Sequence, residues 1–509
     1  MATPDRCRFN LLDEPLLHWR DGARVRHAAT MPGLLAALGA GDVVDFPKVR
    51  AHQYHPWCMF LAQLAALALQ KAGKTDVKQV EGAWRDLIIG LTDGAVEPWC
   101  LVVDDLTKPA FLQPPVLEGS LTGFEQKLTP DELDMLVSAK GHDLKEGTVA
   151  PGEIEAWVLA LMTLQTMQGY SGSRLYGIAR MNGGSANRPR VAMAPGPSPS
   201  DFFVRDVRVM LAGFDDLARQ ARMAMMGTRL LWLEPWDGEH SSNLSECAPH
   251  FLEVCRRVRV AWDGGLVVRF TPTAAKRLDA NAAKGNVGDP WIPVARKDGK
   301  ALCIAYKGFT YQMTSALLWG SDWVPSAAAT VQPWDAPEMI WLGAALTRGD
   351  GRTEGLHERR IRLDARKRRL FAEQRESLSE TANKRIKLVD LVSKDVLRPA
   401  LKALACGGSV PDTYYQGLDR AVDPIFFEAL WQEFELPERE RNVAWQKRLY
   451  HLAEAILDAA EHGMPIPDAR RLRAAAKARG VFESRAQAKL KDYFAEREKR
   501  NSAFEEVHP

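Results

Sequence analysis

Residues 156–189 read AWVLALMTLQTMQGYSGSRLYGIARMNGGSANRP, an apolar run that gives way abruptly to a glycine-rich one. The first part continues a segment that opens at Ala150 (APGEIEAW…) and has the length and periodicity of a long buried helix. Gly169 is the stop signal, so the glycine-rich stretch hangs from a helix C-terminus. From Gly169 to Pro189 there are five glycines and three arginines, Arg174, Arg180 and Arg188, with Asn182 and Asn187 among them. Glycine lacks a Cβ and tolerates positive φ, so the backbone N–H groups of such a loop can lie directly against a phosphate or the floor of a DNA groove. The arginines are placed to neutralise phosphates, and Ser173 and the asparagines to hydrogen-bond bases or sugars. An ordinary polar connection is the competing reading.

The pattern on either side is mixed. FNLLDEPLLHW (9–19) and GARVRHA (22–28) read as short strands, with one brief helix in MPGLLAALGAGDVVDF (31–46). YHPWCMFLAQLAALALQKAG (54–73) reads as a buried helix and DVKQVEGAWRDLIIGLTDG (76–94) as an amphipathic one. Thr129 and Glu132 form a capping-box pattern. Beyond the loop, SDFFVRDVRVMLAGFDDLARQARMAM (200–225) predicts one more helix, and RVRVAWDGGLVVRF (257–270) a hairpin turning on Asp263-Gly264-Gly265. APHFLEVC (248–255) reads as helical. Residues 272–300 are polar and aperiodic, the mark of a functional or mobile segment. From residue 370 onward, Ala/Leu/Glu/Arg-rich segments predict about four antiparallel helices.

Composition sets the outer bounds. A chain of 509 residues, 46% hydrophobic and 26% charged, is that of a globular protein with more than one core. The net charge of +2 means that any attraction for nucleic acid comes from local patches. Seven scattered cysteines form no disulfide framework, MATPDRCRFN has no apolar core of a secretory signal, and the longest apolar run is too short to span a bilayer. A cytoplasmic protein with no membrane partner is the expectation.

Most enzyme signatures fail. AGKT (72–75) ends like a phosphate-binding loop, but position 68 is Ala and the segment continues a helix. GYSGS (169–173) has Ser173 where a nucleophile elbow needs glycine, and it follows a helix rather than a strand. Asp104-Asp105 reads as a turn or strand end. His240, Cys247, His250 and Cys255 are possible zinc ligands but do not form two compact pairs. The other strong signal is basic: seven of the eleven residues 359–369 are Arg or Lys. In a helix these would cover most of the circumference and give salt-dependent phosphate binding, through Arg359, Arg360, Arg362 and Lys367 in particular. A solvated helix paired with Glu358, Glu373 and Glu376 is the plainer alternative.

Taken in order, the segments resemble the CasA family, the large subunit of the type I-E CRISPR surveillance complex (Cascade). The resemblance is carried by FNLLDEPLLHW with GARVRHA, KPAFLQPP (108–115), the helix running into GYSGSRLYGIARMNGG, GDPWIP (288–293) and MIWLGAALTRGDGRTEGLHERR (339–360) before the C-terminal helices. It is diffuse but spans nearly the whole chain. It implies a non-catalytic protein without a cofactor that senses a protospacer-adjacent motif in target double-stranded DNA through the minor groove. Its partners would be guide RNA, the backbone and small subunits, and a recruited helicase-nuclease. Carried over residue by residue, the motif-sensing loop is Gly169, Tyr170, Ser171, Gly172 and Ser173, with fewer consecutive glycines than the family pattern. The groove lysine falls on Lys284 in preference to Lys276. The wedge falls on Gly351, Arg352 and Thr353, with Arg352 in place of the family's glutamine. Lys140, His142 and Lys145 fall where members contact guide RNA, Arg174 and Arg180 fall near DNA phosphates, and the four-cysteine zinc pattern of some members is missing.

The fold class expected is α+β: a mixed N-terminal domain with short sheets over residues 1–369 and an all-α four-helix bundle over 370–509. Two other functions fit parts of the pattern. One is a metal-dependent nucleic-acid enzyme using Asp104-Asp105 or the His/Cys set; the other is a helical scaffold without DNA-sequence sensing, which would have no need of the glycine loop.

Overall fold

The computed structural model describes residues 7–134, 153–181, 188–349, 352–465 and 468–507. The chain forms two compact units, Met1–Phe309 with Ser321–Asp364, and Thr310–Gly320 with Ala365–Pro509. The fold is mixed α+β, as the pattern predicted, with small sheets confined to the first unit and only helices among the described residues of the second. No described helix is long and apolar enough to cross a membrane.

In the first unit, strand β1 (Cys7–Asn10) pairs antiparallel with β2 (Cys100–Val103). Helix α1 (Ala51–Lys71) runs through the middle of the core and is buried from His52 to Leu69 except at Tyr54. It begins three residues earlier than the apolar run implied, because Arg50 is extended and Pro56 is accommodated inside the second turn. Its end shows why AGKT is no phosphate loop. Gly73, at φ +66°, donates to the Gln70 carbonyl and Lys74 to that of Leu69, a left-handed helix cap.

Helix α2 (Ile154–Met167) is buried almost throughout and packs on α1. The helix predicted over 200–225 is two helices, α3 (Pro199–Ala212) and α4 (Phe214–Ala221), with the break at Gly213. Ser198 caps α3 reciprocally with Asp201.

The hairpin predicted across Asp263–Gly265 forms as β3 (Arg257–Trp262) and β4 (Leu266–Thr271), with Gly264 at φ +69° in the turn. APHFLEVC is not helical. Cys247–Leu252 is a strand whose six residues are all buried, so it has no polar side to reveal its period. The largest sheet feature is a long hairpin, β5 (Met339–Gly349) and β6 (Arg352–Leu363), with a register shift between Thr347 and Arg348. Arg190–Ala194 adds a third strand to it.

That hairpin corrects the reading of 359–369 as one basic helix. Residues up to Leu363 follow the two-residue period of a strand, with Ile361 and Leu363 buried and Arg360 and Arg362 exposed. A helix over Ala365–Glu373 carries the remaining cations. The division falls at Asp364, so the run is split between the two compact units.

The second unit contains four long helical segments: Arg375–Leu404, which passes through a π-helical turn at Val392–Leu397, then Glu438–Gly463, Asp468–Lys489 and Lys491–Val507. Its core is aromatic, with Trp319 edge-on to Trp431 at 5.7 Å and Phe426 edge-on to Trp445 at 5.8 Å. A buried Arg385–Glu433 pair at 2.7 Å is stacked on Trp445.

Candidate nucleic-acid interface

The glycine loop is fixed at its root before it reaches the surface. Gln165, near the end of α2, is fully buried and donates to the carbonyls of Leu112 and Arg256. Its Oε1 accepts from the backbone N–H groups of Cys255 and Arg256. All of the amide's hydrogen-bonding capacity is thus spent on holding the helix end against the segment that leads into β3. Arg256, itself buried, donates to Gln168 Oε1 at 3.1 Å and to the Gly169 carbonyl at 3.3 Å. Nothing in the local sequence marked either residue, because their partners are about ninety positions away.

From Gly169 the backbone turns outward. Ser171 N–H donates to the Leu175 carbonyl and Leu175 N–H to that of Gly172, closing a tight hairpin at 3.1 and 3.0 Å. Gly172 sits at φ +151° and Arg174 at φ +62°, conformations that L-residues seldom adopt. Gly177 is required for a different reason: a Cβ there would lie 2.4 Å from the Gly169 carbonyl carbon, so the two glycines pass in direct backbone contact. The loop is tied to the far wall by Thr273 N–H on the Arg174 carbonyl at 3.1 Å and Tyr176 Oη on that of Ala274 at 3.2 Å.

The polar stretch 272–300 supplies that far wall. Lys284 ends a short helical turn at φ +50° and is exposed; its Nζ lies 3.3 Å from the Asp298 carbonyl. Lys276 Nζ donates to Asn281 Oδ1 at 2.5 Å. Loop and wall enclose a cavity of about 430 Å³, with Tyr170 and Tyr176 on one side and Lys276, Asn281 and Lys284 on the other. The two lysines that the sequence set in competition line the same space as Tyr170.

The remaining candidates divide. Ser173 and Arg174 are exposed beside the cavity, whereas Gly169 is buried at the loop's root. Arg180, expected on a DNA phosphate, is 2% exposed and therefore cannot reach one. Its Nη1 lies 2.8 Å from Glu253 and its Nε 3.1 Å from Asp289, and its guanidinium covers the Phe251 ring. Arg188 is buried beside it, 2.5 Å from Asp289 and bonded to Gln63; burial pushes its pKa down to about 10. Both arginines are structural. Asp289 belongs to the GDPWIP turn, whose Trp291 donates to Asp206 at 2.8 Å.

Arg359 is partly buried, Arg362 is exposed, and Arg360 lies 2.6 Å from Glu358. Glu358 also receives His55 Nε2 at 2.6 Å, and that bond with Arg360 beside it holds the carboxyl at about 2. Lys367 lies 3.4 Å from Glu428 and Arg366 pairs with Glu435, so part of the basic run is matched by acids other than those expected. Arg352 pairs through its backbone with Gly349 and Thr353 with Arg348, at the tip of the long hairpin. Gly351, Lys140, His142 and Lys145 lie outside the described residues.

The possible metal ligands do not converge. His240 is exposed on Asp237, His250 is buried on the Met210 carbonyl and Cys255 on that of Leu164. Among the described residues no group of three His, Cys, Asp or Glu could hold a metal ion. Asp105 accepts from the Thr107 N–H and hydroxyl in a turn, and Asp104 lies 4.0 Å from Arg8.

No family model matches the chain, and no curated protein does. Solved structures do. Thermus thermophilus CasA (Cse1) superposes with a TM-score of 0.60 at 15% identity, over 95% of this chain and 100% of that one. Thermobifida fusca Cse1 gives 0.61 at 13%, over 96% and 99%. A chain of a CRISPR RNA-guided surveillance complex in a pre-nicking state gives 0.53 at 13%, over 94% and 99%. Such identities speak for fold, and here both units are covered: the chain has the CasA (Cse1) fold.

Proposed function

We propose that this chain is the large, non-catalytic subunit of a type I-E RNA-guided surveillance complex, working in the cytoplasm with guide RNA and the other Cascade subunits. In this role it reads the adjacent motif of target double-stranded DNA through the minor groove, aids opening of the duplex and recruits a helicase-nuclease. The observation that supports the reading is the outward-turned glycine loop, with Ser173, Arg174 and Lys284 exposed, within a CasA fold. Small residues and a tight backbone turn suit a groove whose base-edge code is degenerate, and an exposed lysine beside them supplies charge for the phosphates. The long hairpin ending near Arg352 has the form of a wedge, which would spend a few kcal/mol on unstacking and regain it in contacts to opened DNA.

The test is target-duplex binding by the reconstituted complex at fixed salt, with and without a permissive adjacent motif. A Cβ at Gly172 meets only Leu175, at 3.7 Å, so a side chain has room there, and Gly172→Ala controls for the unusual φ. Gly172→Asp is expected to abolish the motif-dependent part of the affinity and leave the remainder. Equal binding of both duplexes by both proteins would return the loop to an ordinary connection and favour a scaffold.

A further inference from the structure

The cavity beside the glycine loop is deeper than groove reading requires. A backbone that touches the floor of a minor groove needs a convex ridge, whereas residues 170–181 and 276–285 enclose about 430 Å³. That volume falls within the range of small-ligand sites, roughly 300–1,000 Å³, and is too small for a length of duplex. Two apolar side chains, Ile178 and Leu278, each 3% exposed, form part of its lining. Its mouth is aromatic and cationic. Tyr170 is 44% exposed there, and the Tyr176 ring is held in place by its hydroxyl on Ala274. Apolar side chains, aromatic faces, one amide and two ammonium groups are the complement of a single nucleotide: base, edge and phosphate.

We propose that this cavity receives one nucleotide extruded from the bound DNA, its base stacked on Tyr170 and its phosphate held by Lys276 and Lys284. The inference rests on the DNA-sensing reading above and adds a site to it. In the structure the Lys276 ammonium is bonded to Asn281. When the phosphate takes Lys276, the Asn281 amide is released to hydrogen-bond the edge of the base. The extruded nucleotide comes from the pair that the complex opens first, where unpairing is already under way.

The experiment scans 5-iodouracil through the adjacent motif and the first target pairs, irradiates the assembled complex and maps crosslinked peptides by mass spectrometry. One position is expected to crosslink to Tyr170 or Tyr176. Tyr170→Ala is expected to lose about ten-fold in motif-dependent affinity, with Tyr170→Phe retaining it. Motif-dependent binding without any such crosslink overturns the cavity proposal and leaves the DNA-sensing reading standing. If motif-dependent binding itself is missing, adenosine and thymidine monophosphates are titrated into the full chain. Binding that Tyr170→Ala abolishes would make a free nucleotide the source of the same chemistry, and no binding would overturn the proposal together with the reading on which it rests.

Discussion

Arg174 and Arg180 are six positions apart in one glycine-rich stretch, and the structure puts them in opposite environments. Residues 170–176 turn outward, with Tyr170, Ser173 and Arg174 exposed beside a cavity. Residues 178–181 and 188–190 lie inward, and Arg180, Arg188 and Arg190 are buried, each against an acid: Glu253, Asp289 and Asp206. Composition does not separate the two halves. The difference lies in whether the fold brings a carboxylate to meet the guanidinium, and those carboxylates lie between 16 and 101 residues away. Desolvating an unpaired arginine costs several kcal/mol, so Arg180, Arg188 and Arg190 go in with a matching carboxylate while Arg174 stays at the surface.

The largest effect should come from breaking the buried half. Asp289→Ala removes the carboxylate paired with Arg188 and leaves it the Gln63 amide oxygen and the Trp291 ring, while Arg180 retains Glu253. We expect a loss of about 3–5 kcal/mol in urea unfolding, the cost of an uncompensated buried charge. A change within about 0.5 kcal/mol, the range of surface substitutions, would mean that the arginines reach water and the contrast is weaker than drawn.

The same seam should respond to pH through His250. Burial pulls this imidazole down to about 4, with Arg180 and Arg188 adding to the shift and Asp289 and the Met210 carbonyl opposing it. The unfolded chain therefore binds a proton below pH ~6.5 that the folded chain refuses until about 4, and stability falls as pH drops through that window. The full effect is about 3 kcal/mol. His250 has φ +60°, which asparagine tolerates, so His250→Asn should remove this part of the pH dependence without backbone strain. Melts at pH 7 and pH 5 would read it; an unchanged dependence would place the titration elsewhere.

Much of the frame was legible because it is local. The Asp-Gly-Gly turn predicts its hairpin, the helix before the loop ends at Met167, two residues short of Gly169, and the run before Gly73 is long and apolar enough to be a core helix only. The failures share one cause. Cys247–Leu252 is buried on both sides and shows no period, and the cations of 359–369 read as helical because the strand's alternation was hidden by Arg359 beside Arg360. Around the cavity, the glycine loop was singled out from residue type and Lys284 from the family resemblance. Tyr176 and Asn281 as lining, Lys276 as a second cation rather than a rival, and Gln165 and Arg256 as the loop's anchors depend on contacts across the fold. No window of sequence contains those contacts.

The smallest effect on stability should come from the exposed half, and it separates a ligand cation from a structural one most directly. Lys284 is at φ +50°, where glycine is at ease and lysine is not, and its ammonium lies 3.3 Å from the Asp298 carbonyl. Lys284→Gly therefore relieves backbone strain while loosening the unfolded chain, and the two nearly cancel: stability should move by no more than about 0.5 kcal/mol. Binding should not be spared. A lysine that contacts one phosphate releases about one counterion, so the slope of log affinity against log salt should become shallower by about 1 on target duplex. An unchanged slope with unchanged stability would leave Lys284 a solvated side chain. A shallower slope, set against the unfolding caused by Asp289→Ala, would show that the outward half of the stretch and its facing wall serve the ligand while the inward half serves the fold.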